Sequence, residues 1–412
     1  MRLLSLFSGC GGMDIGFEGD FLCLKRSINS TMHPHWIRSE QGMWVLTAPT
    51  KFETVFANDI RPDAKAAWVS YFGQRIPNAN AIYHLESIVD LVKRAKSGEN
   101  VFPKNIDIVT GGFPCQDFSV AGKRKGFQSN KSHLGGARVA DEPTTENRGQ
   151  LYMWMREVIS ITKPKLFVAE NVKGLTNLPD AKNVIEKDFS TAGGGYLVVP
   201  AKVLHAADYG VPQSRERVFF FGFRKNALKP EALKELSKAV ISSAYDPYPL
   251  ITHNYHVQNT TLFPAVTCRD ALSDLAEPDH ANDPSQTKYS KAKFMGTHCQ
   301  GQSEIKIDSI APTIRSEHHG NIEFRRLSAD HGGIIFEELE QGLSERRLTV
   351  RECARIQTFP DDYQFILPKT PQNSSVCASD AYKIIGNAVP CVLAYNIAKN
   401  LEEKWTRYFK ED

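Results

Sequence analysis

Short apolar runs recur along the first half of the chain, and amphipathic or polar stretches separate them. Runs of this kind are typical of strands that are buried on both faces of a parallel sheet. The predicted strands are Leu3–Phe7, Thr54–Ala57, Ile106–Val109, Lys165–Ala169, Tyr196–Leu204 and Val218–Phe223, with a short strand and turn at Ile82–Ile88. The predicted helices between them are Ala64–Phe72, Val89–Lys96 and Leu151–Ile161. This alternation predicts an α/β fold with a doubly wound, mostly parallel sheet, whose ligands bind at the carboxyl ends of the strands.

The pattern changes after Arg224. A helix is predicted over Lys229–Ile241, and the regular alternation then stops while proline, threonine and histidine become frequent. Leu348–Phe359 predicts a helix that organises a smaller, loop-rich domain. Ala388–Arg407 predicts a long helix that packs against the first strand–helix unit. We therefore predict a catalytic and cofactor-binding domain over residues 1–228, a second domain over 229–375, and a C-terminal segment over 376–412 that returns to the first domain.

Two polar segments interrupt the first domain. Residues 20–51 lengthen the connection between the first two strands, and we predict an insertion that forms a hairpin or a surface loop. Its histidines, His33 and His35, have no acidic or thiol partner close by in the sequence, which favours surface or packing roles over metal binding. Residues 127–150 form a long polar loop, and such loops are either functional, here as a lid, or disordered.

Composition narrows the class of protein without identifying it. The chain has 412 residues and a formal charge of only +3, so any surface that attracts nucleic acid must be local. The eight cysteines include no Cys-x-x-Cys pair, and His298 and Cys299 with His318 and His319 fit no standard zinc spacing, so we predict no metal site. No apolar run reaches the length of roughly 20 residues that crosses a membrane, and a reduced, cytoplasmic setting is expected.

The segment Gly111–Ser119 follows the predicted strand Ile106–Val109 and carries a cysteine near its start. Two glycines allow a sharp turn, and Pro114 stiffens the chain just before Cys115. Polar and basic residues follow at Gln116, Ser119, Lys123, Arg124 and Lys125. A thiol fixed at a strand end and followed by positive charge indicates a nucleophile for a phosphate-bearing substrate. The alternative is a small buried thiol that serves packing alone.

Other strand ends carry further candidate groups. Ser8–Gly12 forms a glycine-rich turn of the kind that cradles nucleotide-like ligands, or else an ordinary tight turn. Asp59 follows the next strand, where such folds commonly hold ribose hydroxyls. Glu170 ends a buried strand, where burial would raise its pKa and let it donate a proton; the alternative is a helix-capping carboxylate. Arg215 and Arg217 stand two residues apart in an extended chain, so they point to the same face and suit a phosphate or a base carbonyl.

Six segments, in this order along the chain, resemble the motifs of the DNA cytosine-5 methyltransferases of bacterial restriction-modification systems. They are the cofactor loop Phe7–Gly12, the nucleophile motif Pro114–Gln116, the proton-donor motif Glu170–Val172, the arginine motif Gln213–Arg217, the structural motif Arg351–Pro360 and the last cofactor-contacting motif Gly386–Val389. The resemblance covers nearly the whole chain. It implies a Rossmann-like, S-adenosylmethionine-dependent methyltransferase fold with a smaller, loop-rich target-recognition domain.

The resemblance also implies a reaction. The thiolate of Cys115 adds to carbon 6 of a cytosine that is flipped out of duplex DNA, and carbon 5 becomes nucleophilic. Glu170 stabilises ring nitrogen 3 as a proton donor, while Arg217 and Arg215 hold the carbonyl oxygen of the base and nearby phosphates. Carbon 5 then takes a methyl group, and loss of its proton expels Cys115.

The remaining site residues follow from the same resemblance. For S-adenosyl-L-methionine and its product S-adenosyl-L-homocysteine it implies a site formed by Phe7, Gly9, Cys10, Gly11, Gly12, Asp59, Ile60, Glu86, Ser87, Pro114, Asn387 and Ala388. For double-stranded DNA it implies contacts from Gln116, Ser119, Lys123, Arg124, Lys125, Gln300, Gln302, Thr313, Arg315 and His318. The first five of these belong to the loop after the cysteine, which would close over bound DNA.

We expect a monomer that modifies a short DNA site, with a separately acting restriction endonuclease as a potential partner and a bacterial cytoplasmic, nucleoid-associated location. Two alternatives stay open at this point. One is a cytosine-5 methyltransferase that acts on tRNA, although the Cys-Phe-Thr signature of that branch is missing. The other is a non-catalytic DNA-binding member of the family, although Cys115, Glu170, Arg215 and Arg217 are all present.

Overall fold

The computed structural model describes residues 1–114, 151–177, 180–257, 259–316, 322–371 and 373–410. Several predicted features lie outside these residues, so their predictions stand as made. They are the nucleophile Cys115, the DNA-contacting residues Gln116, Ser119, Lys123, Arg124, Lys125 and His318, and the polar loop 127–150.

A seven-stranded sheet forms the centre of the molecule, with the strand order β6-β5-β1-β7-β8-β10-β9. All neighbouring pairs are parallel except those of β10, which runs antiparallel to both β8 and β9. The strands are β1 (Arg2–Leu6), β5 (Glu53–Asp59), β6 (Tyr83–Leu85), β7 (Ile108–Gly112), β8 (Leu166–Val172), β9 (Tyr196–His205) and β10 (Glu216–Arg224). The predicted doubly wound, mostly parallel sheet is confirmed.

Helices cover both faces of this sheet, which explains why its strands are apolar throughout. Adjacent residues of one strand enter different cores: Leu3 packs in one apolar cluster and Leu4 in the other, and Ile108 and Val109 divide in the same way. The helices of this region are α1 (Gly12–Glu18), α2 (Pro62–Phe72), α3 (Ala79–Ile82), α4 (Ile88–Lys96), α5 (Leu151–Thr162) and α6 (Ala181–Ser190).

Residues 20–51 form a small antiparallel sheet beside the main one. Its strands are β2 (Leu22–Leu24), β3 (Ile37–Gln41) and β4 (Trp44–Thr47), in the order β2-β4-β3. The pair β3–β4 is a hairpin, which was one of the two predicted alternatives, and the third strand was not predicted. Trp36 anchors this sheet to the rest of the molecule, because its ring packs edge-on against Tyr395 and its indole N–H donates to Glu403 at 2.8 Å.

Residues 229–377 contain little regular structure. The elements are α7 (Pro230–Leu236), α8 (Cys268–Leu272), α9 (Pro284–Thr287), β11 (Phe324–Arg326), α10 (Phe336–Glu340), β12 (Arg346–Arg347) and α11 (Val350–Ile356). The helices predicted over Lys229–Ile241 and Leu348–Phe359 are present but shorter, as α7 and α11. Capping defines the start of α11, where Thr349 accepts from the Glu352 N–H and Glu352 accepts from the Thr349 N–H.

The chain ends in two helices, α12 (Ala378–Asn387) and α13 (Cys391–Tyr408). Helix α13 packs against α1, as predicted, and Gly16 permits the close approach because a Cβ there would lie 2.4 Å from the Ala394 Cβ. The division into domains over 1–228, 229–375 and 376–412 stays a prediction. None of the described helices is long and apolar enough to span a membrane.

Candidate active site

Two tyrosine hydroxyls and close packing hold the glycine-rich turn after β1. The Tyr83 hydroxyl donates to the Gly9 carbonyl at 2.9 Å, and the Tyr363 hydroxyl donates to the Cys10 carbonyl at 2.7 Å. The next two glycines are required by packing, since a Cβ at Gly11 would lie 2.6 Å from the Trp68 ring and one at Gly12 would lie 2.4 Å from the Val389 carbonyl oxygen. Together these contacts give the turn a fixed, preorganised shape.

Asp59 ends β5 and faces this turn. One carboxylate oxygen accepts from the Gly9 N–H at 3.0 Å, and the other accepts from the Arg61 N–H at 3.0 Å. Burial raises the pKa of Asp59, and these backbone hydrogen bonds oppose that rise. A carboxylate can accept about four hydrogen bonds, so Asp59 keeps acceptor capacity for a ligand hydroxyl.

A cavity of about 390 Å³ opens beside the turn, at the carboxyl ends of the parallel strands. This volume lies in the range of about 300–1,000 Å³ that is usual for small-molecule sites. Nine of the residues predicted to bind the cofactor line it: Phe7, Gly9, Gly12, Asp59, Ile60, Ser87, Pro114, Asn387 and Ala388. The glycine turn, the strand ends and the start of the C-terminal segment therefore converge on one pocket.

Three residues predicted for the same site do not line the cavity. Cys10 is fully buried and its thiol donates to the Ile384 carbonyl at 3.3 Å, while Gly11 packs on Trp68. Glu86 points to the surface and pairs with Arg94. Ser87, beside Glu86, lines the cavity and caps α4 by accepting from the Val89 N–H. Of the two candidates at this strand end, the geometry favours Ser87.

Glu170 lies on β8, directly opposite Gly112 of β7, and lines the same cavity. One of its carboxylate oxygens contacts the Nε of Arg217 at 2.9 Å. Burial raises the pKa of Glu170, and the charges of Arg217 and Arg215 oppose the rise without cancelling it. A carboxyl group that lines a pocket and has a raised pKa is suited to proton donation.

The backbone around Glu170 is fitted to its side chain. A Cβ at Gly112 would lie 2.8 Å from the Oε2 of Glu170, so a larger residue there would displace the carboxyl from this position. The Asn171 amide donates to the Phe113 carbonyl at 3.1 Å, which links the end of β8 to the chain that leads to Pro114. Pro114 lines the cavity and immediately precedes Cys115 in the sequence.

Arg215 and Arg217 differ in their surroundings. Arg217 lines the cavity. Arg215 is fully buried, and its guanidinium donates to the carbonyls of Ile314 at 3.1 Å, Gly386 at 2.8 Å and Ala388 at 2.8 Å. This arrangement ties the arginine motif to the last cofactor-contacting motif. It favours a positioning role for Arg215 over the predicted direct contact with the base.

The described residues among the predicted DNA contacts also divide into two groups. Gln300 is exposed, whereas Gln302 is buried and its side-chain oxygen accepts from the Met295 N–H at 2.9 Å. The Thr313 hydroxyl donates to the Ser214 carbonyl, and Arg315 pairs with Glu323 at 3.0 Å. Their contact with DNA stays a prediction, and the burial of Gln302 favours an internal role for it.

Sequence reasoning missed several residues of the pocket. Asn58 lines the cavity and donates from its amide to the carbonyls of His84 and Glu86, which joins β5 to β6. Arg61 and Leu151 also line it. The Asn58-Asp59 pair at a strand end was a usable signal for Asn58. No signal identified Tyr363, which reaches the glycine turn from a position more than 300 residues away along the chain.

Comparison with known proteins agrees with this geometry. Residues 1–403 match the family model described as C-5 cytosine-specific DNA methylase. The chain is 32% identical to the Type II methyltransferase M.BsuRI of Bacillus subtilis, over 97% of this chain and 78% of the relative. It is also 32% identical to the Type II methyltransferase M.BspRI of Lysinibacillus sphaericus, over 100% of this chain and 84% of the relative.

Solved structures agree at the level of the fold. The structure of the S. pombe Dnmt2 methyltransferase matches with a TM-score of 0.55 and 17% identity, over 98% of both chains. The structure of a putative DNA modification methyltransferase encoded within an E. coli prophage matches with a TM-score of 0.51 and 20% identity, over 98% of this chain and 99% of that one.

Proposed function

Because the chain belongs to the C-5 cytosine-specific DNA methylases and is a DNA cytosine-5 methyltransferase, we propose that its reaction passes through a covalent adduct of Cys115, with Glu170 as the proton donor. One observation carries this assignment. The buried Glu170 carboxyl, paired with Arg217, shares a cavity with the glycine turn and with Pro114, the residue before Cys115. That Glu170, the glycine turn and Pro114 line one cavity supports the proposed roles.

The cavity fits S-adenosylmethionine in its chemistry. Asp59 retains acceptor capacity for ribose hydroxyls, and a Cβ at Gly9 would meet nothing within 4 Å, so the turn leaves space beside its backbone. Phe7, Ile60 and Pro114 supply apolar walls. When bound, S-adenosylmethionine supplies the methyl group as a sulfonium.

The acid–base chemistry falls to Glu170 and the arginines. Addition of the Cys115 thiolate to carbon 6 moves electron density toward ring nitrogen 3, and a protonated Glu170 donates to that nitrogen. Arg217 orients the Glu170 carboxyl through its contact at 2.9 Å and presents a further donor to the carbonyl oxygen of the base. Arg215 directly precedes β10, and its hydrogen bonds to three backbone carbonyls hold the start of this strand, and with it Arg217, in place.

Residues 229–375 are proposed to read the DNA. The exposed Gln300, together with Thr313, Arg315 and His318, supplies side chains that can bond to base edges or phosphates. The target cytosine is buried in a stacked duplex, so it must be flipped out to reach Glu170. The loop after Cys115, with Lys123, Arg124 and Lys125, is proposed to close on the distorted backbone.

We also propose that the protein is the modification partner of a separately acting restriction endonuclease and works as a monomer. Support comes from the relatives named Type II methyltransferases, which align with nearly the whole of this chain. The bacterial cytoplasmic, nucleoid-associated location stays part of this proposal.

The test is methyl transfer from labelled S-adenosylmethionine to duplex DNA and to tRNA, with Cys115→Ser as the matched variant. We expect the wild type to methylate duplex DNA and not tRNA, and Cys115→Ser to methylate neither. Transfer only to tRNA would overturn the proposed DNA reading by residues 229–375 and favour the tRNA alternative. A Cys115→Ser protein that methylates at the wild-type rate would exclude the covalent adduct.

A second assay tests the adduct directly. In a duplex that carries 5-fluorocytosine, methyl transfer leaves fluorine on carbon 5, and fluorine cannot depart as a proton. The enzyme should therefore remain bonded to the DNA in a complex that survives denaturing electrophoresis. Cys115→Ser should form no such complex, whereas Glu170→Gln should form it more slowly.

A further inference from the structure

Three potential metal ligands meet at the edge of the sheet, beside the end of β9, the strand that pairs with β10. His205 ends β9, Asp208 lies in the turn that follows, and His256 approaches from a segment 48 residues further along the chain. One ligand atom from each lies within 4.8 Å of the others, and within the described part of the chain this is the one such group of three. None of the three lines the proposed active-site cavity.

The group differs from an ordinary surface ion pair. Asp208 is only 6% exposed, and both of its oxygens contact the Nδ1 of His256, at 3.1 and 2.9 Å. The Nδ1 of His205 is buried and has no hydrogen-bond partner among the described residues. A buried polar atom without a partner is costly, and a bound cation would remove that cost.

The backbone fixes these side chains before any ligand binds. The Asp208 carbonyl accepts from the Thr252 and His253 N–H groups at 3.0 Å each, and the Asp208 carboxylate accepts from the His256 N–H at 3.1 Å. The Ser214 hydroxyl lies 3.4 Å from the Nε2 of His205, and the Tyr255 ring stacks on the His205 ring. Such supporting contacts are what orients histidine ligands in known metal sites.

From this geometry we propose that His205, Asp208 and His256 bind a divalent transition-metal ion, Zn²⁺ in particular, with one position left for water. Two imidazoles and one carboxylate form a ligand set that zinc accepts in tetrahedral sites with an open fourth position. The ion would fasten residues 251–257 to the turn after β9. It would thereby fix this part of the loop-rich region against the sheet.

The test uses the purified full-length chain, freed of metal by a chelator, with Zn²⁺ or Co²⁺ as the only added ligand. We expect one equivalent of Zn²⁺ per chain by calorimetry, and a Co²⁺ visible spectrum of the four-coordinate type. Zn²⁺ should also slow amide hydrogen exchange in residues 251–257. These readouts are independent of methyl transfer, so they separate this proposal from the proposed function.

His256→Gln is the informative variant, because His256 is exposed and its replacement should leave the fold intact. It should weaken Zn²⁺ binding by more than the roughly 10–100-fold that loss of a supporting residue costs. His35→Gln is the matched control, since His35 forms an exposed pair with Glu403. Equal Zn²⁺ binding by wild type and His256→Gln, or a Co²⁺ spectrum of the fully hydrated ion, would overturn the proposal.

Discussion

Buried acids behave in opposite ways in the two halves of this molecule. Around the sheet, burial raises the pKa of Asp14 to about 6 and that of Glu18 to about 7. In the loop-rich region, burial alone would raise the pKa of Glu277, but hydrogen bonds from Arg346 and Arg326 lower it to about 2. Arg346 likewise holds the pKa of the buried Glu352 below its ordinary value. The two carboxyls of the first region lie among apolar groups, whereas the buried Glu352 and the half-buried Glu277 are paired with arginines.

The difference follows from how much regular structure each half contains. The sheet satisfies its own backbone and leaves room for two apolar cores. The loop-rich region has many carbonyls outside helices and strands, and arginine can satisfy several of them at once. Arg347 donates to the carbonyls of Ala292 and Gly301 at 2.7 Å each. Arg351 donates to those of Pro360 and Tyr363.

Glu170 combines both situations. It lies on an apolar strand and pairs with Arg217, yet its pKa remains raised because burial has the larger effect. The pair holds the carboxyl in position without forcing it to ionise. The active site therefore combines an arginine partner, as found in the loop-rich region, with the low polarity of the sheet.

The largest expected effect comes from replacing Glu170, the proposed proton donor, with a side chain that has no acidic proton. Glu170→Gln keeps the shape of the side chain but cannot donate an acidic proton, so kcat should fall by about 10²–10⁴-fold. Steady-state kinetics on duplex DNA gives the ratio, and an unchanged midpoint of thermal unfolding is the control for folding.

The pH profile sharpens this prediction. Since protonated Glu170 is the active form and its pKa is raised, wild-type activity should fall as pH rises through that pKa. The same decline should be absent in Glu170→Gln. A decline of equal size in the variant would assign the titration to another group and remove Glu170 from the proton-transfer step.

The ion pairs of the loop-rich region give the next largest effect. Arg346 donates to both oxygens of Glu352 at 2.9 Å and to both oxygens of Glu277 at 3.0 Å. Arg346→Met leaves Glu352 buried with little compensation, so the free energy of unfolding should fall by about 3–5 kcal/mol. Chemical denaturation measures this change.

An exposed pair provides the matched control. Arg38 contacts Asp20 at 2.7 Å, and both side chains are about half exposed. Arg38→Met should cost less than about 1 kcal/mol, because water screens such a pair. Equal losses from Arg346→Met and Arg38→Met would mean that the buried pairs do not hold the loop-rich region together.

The sequence predicted the two halves unequally for the same physical reason. Apolar runs identified the strands of the sheet to within a few residues, because a strand that is buried on both faces must be apolar throughout. Asp59, Glu170 and Arg217 were predicted as site residues because they stand at strand ends, and all three line one cavity. Parallel topology brings strand ends together without any need to know the loops.

The loop-rich half gave no comparable signal. Its buried residues include Arg326, Arg346, Arg347 and Arg351, which in a sequence suggest surface or phosphate contacts. Their partners lie up to 69 residues away along the chain, so spacing could not reveal the pairs. Gln302 was predicted to read DNA for the same reason, and its burial became visible only in three dimensions.

A smaller effect tests the carboxyls that lie among apolar groups around the sheet. The carboxyl of Glu18 accepts from the Thr54 N–H at 3.0 Å, and its pKa is raised from an ordinary 4.5 to about 7. Between these values the folded chain keeps a proton that the unfolded chain loses. Stability from this group is therefore complete below about pH 4.5 and is lost as pH rises through 7, by about 3 kcal/mol.

Glu18→Gln removes this dependence. The free energy of unfolding of the variant, relative to that of the wild type, should rise by that amount between pH 5 and pH 8. Urea denaturation at each pH measures this difference. A difference that stays constant over this range would show that Glu18 ionises freely in the folded chain.

The smallest effect concerns the capping residues at the start of a short helix in the loop-rich region. Thr267 accepts from the Asp270 N–H, and Asp270 accepts in return from the Thr267 N–H, so the five residues of α8 begin at a reciprocal cap. Thr267→Ala should lower the free energy of unfolding by about 1 kcal/mol. Thr176→Ala, which removes an exposed hydroxyl that donates to the Lys173 carbonyl, should change it by less than about 0.5 kcal/mol. Equal changes in the two variants would mean that tertiary contacts, and not the cap, determine where α8 begins.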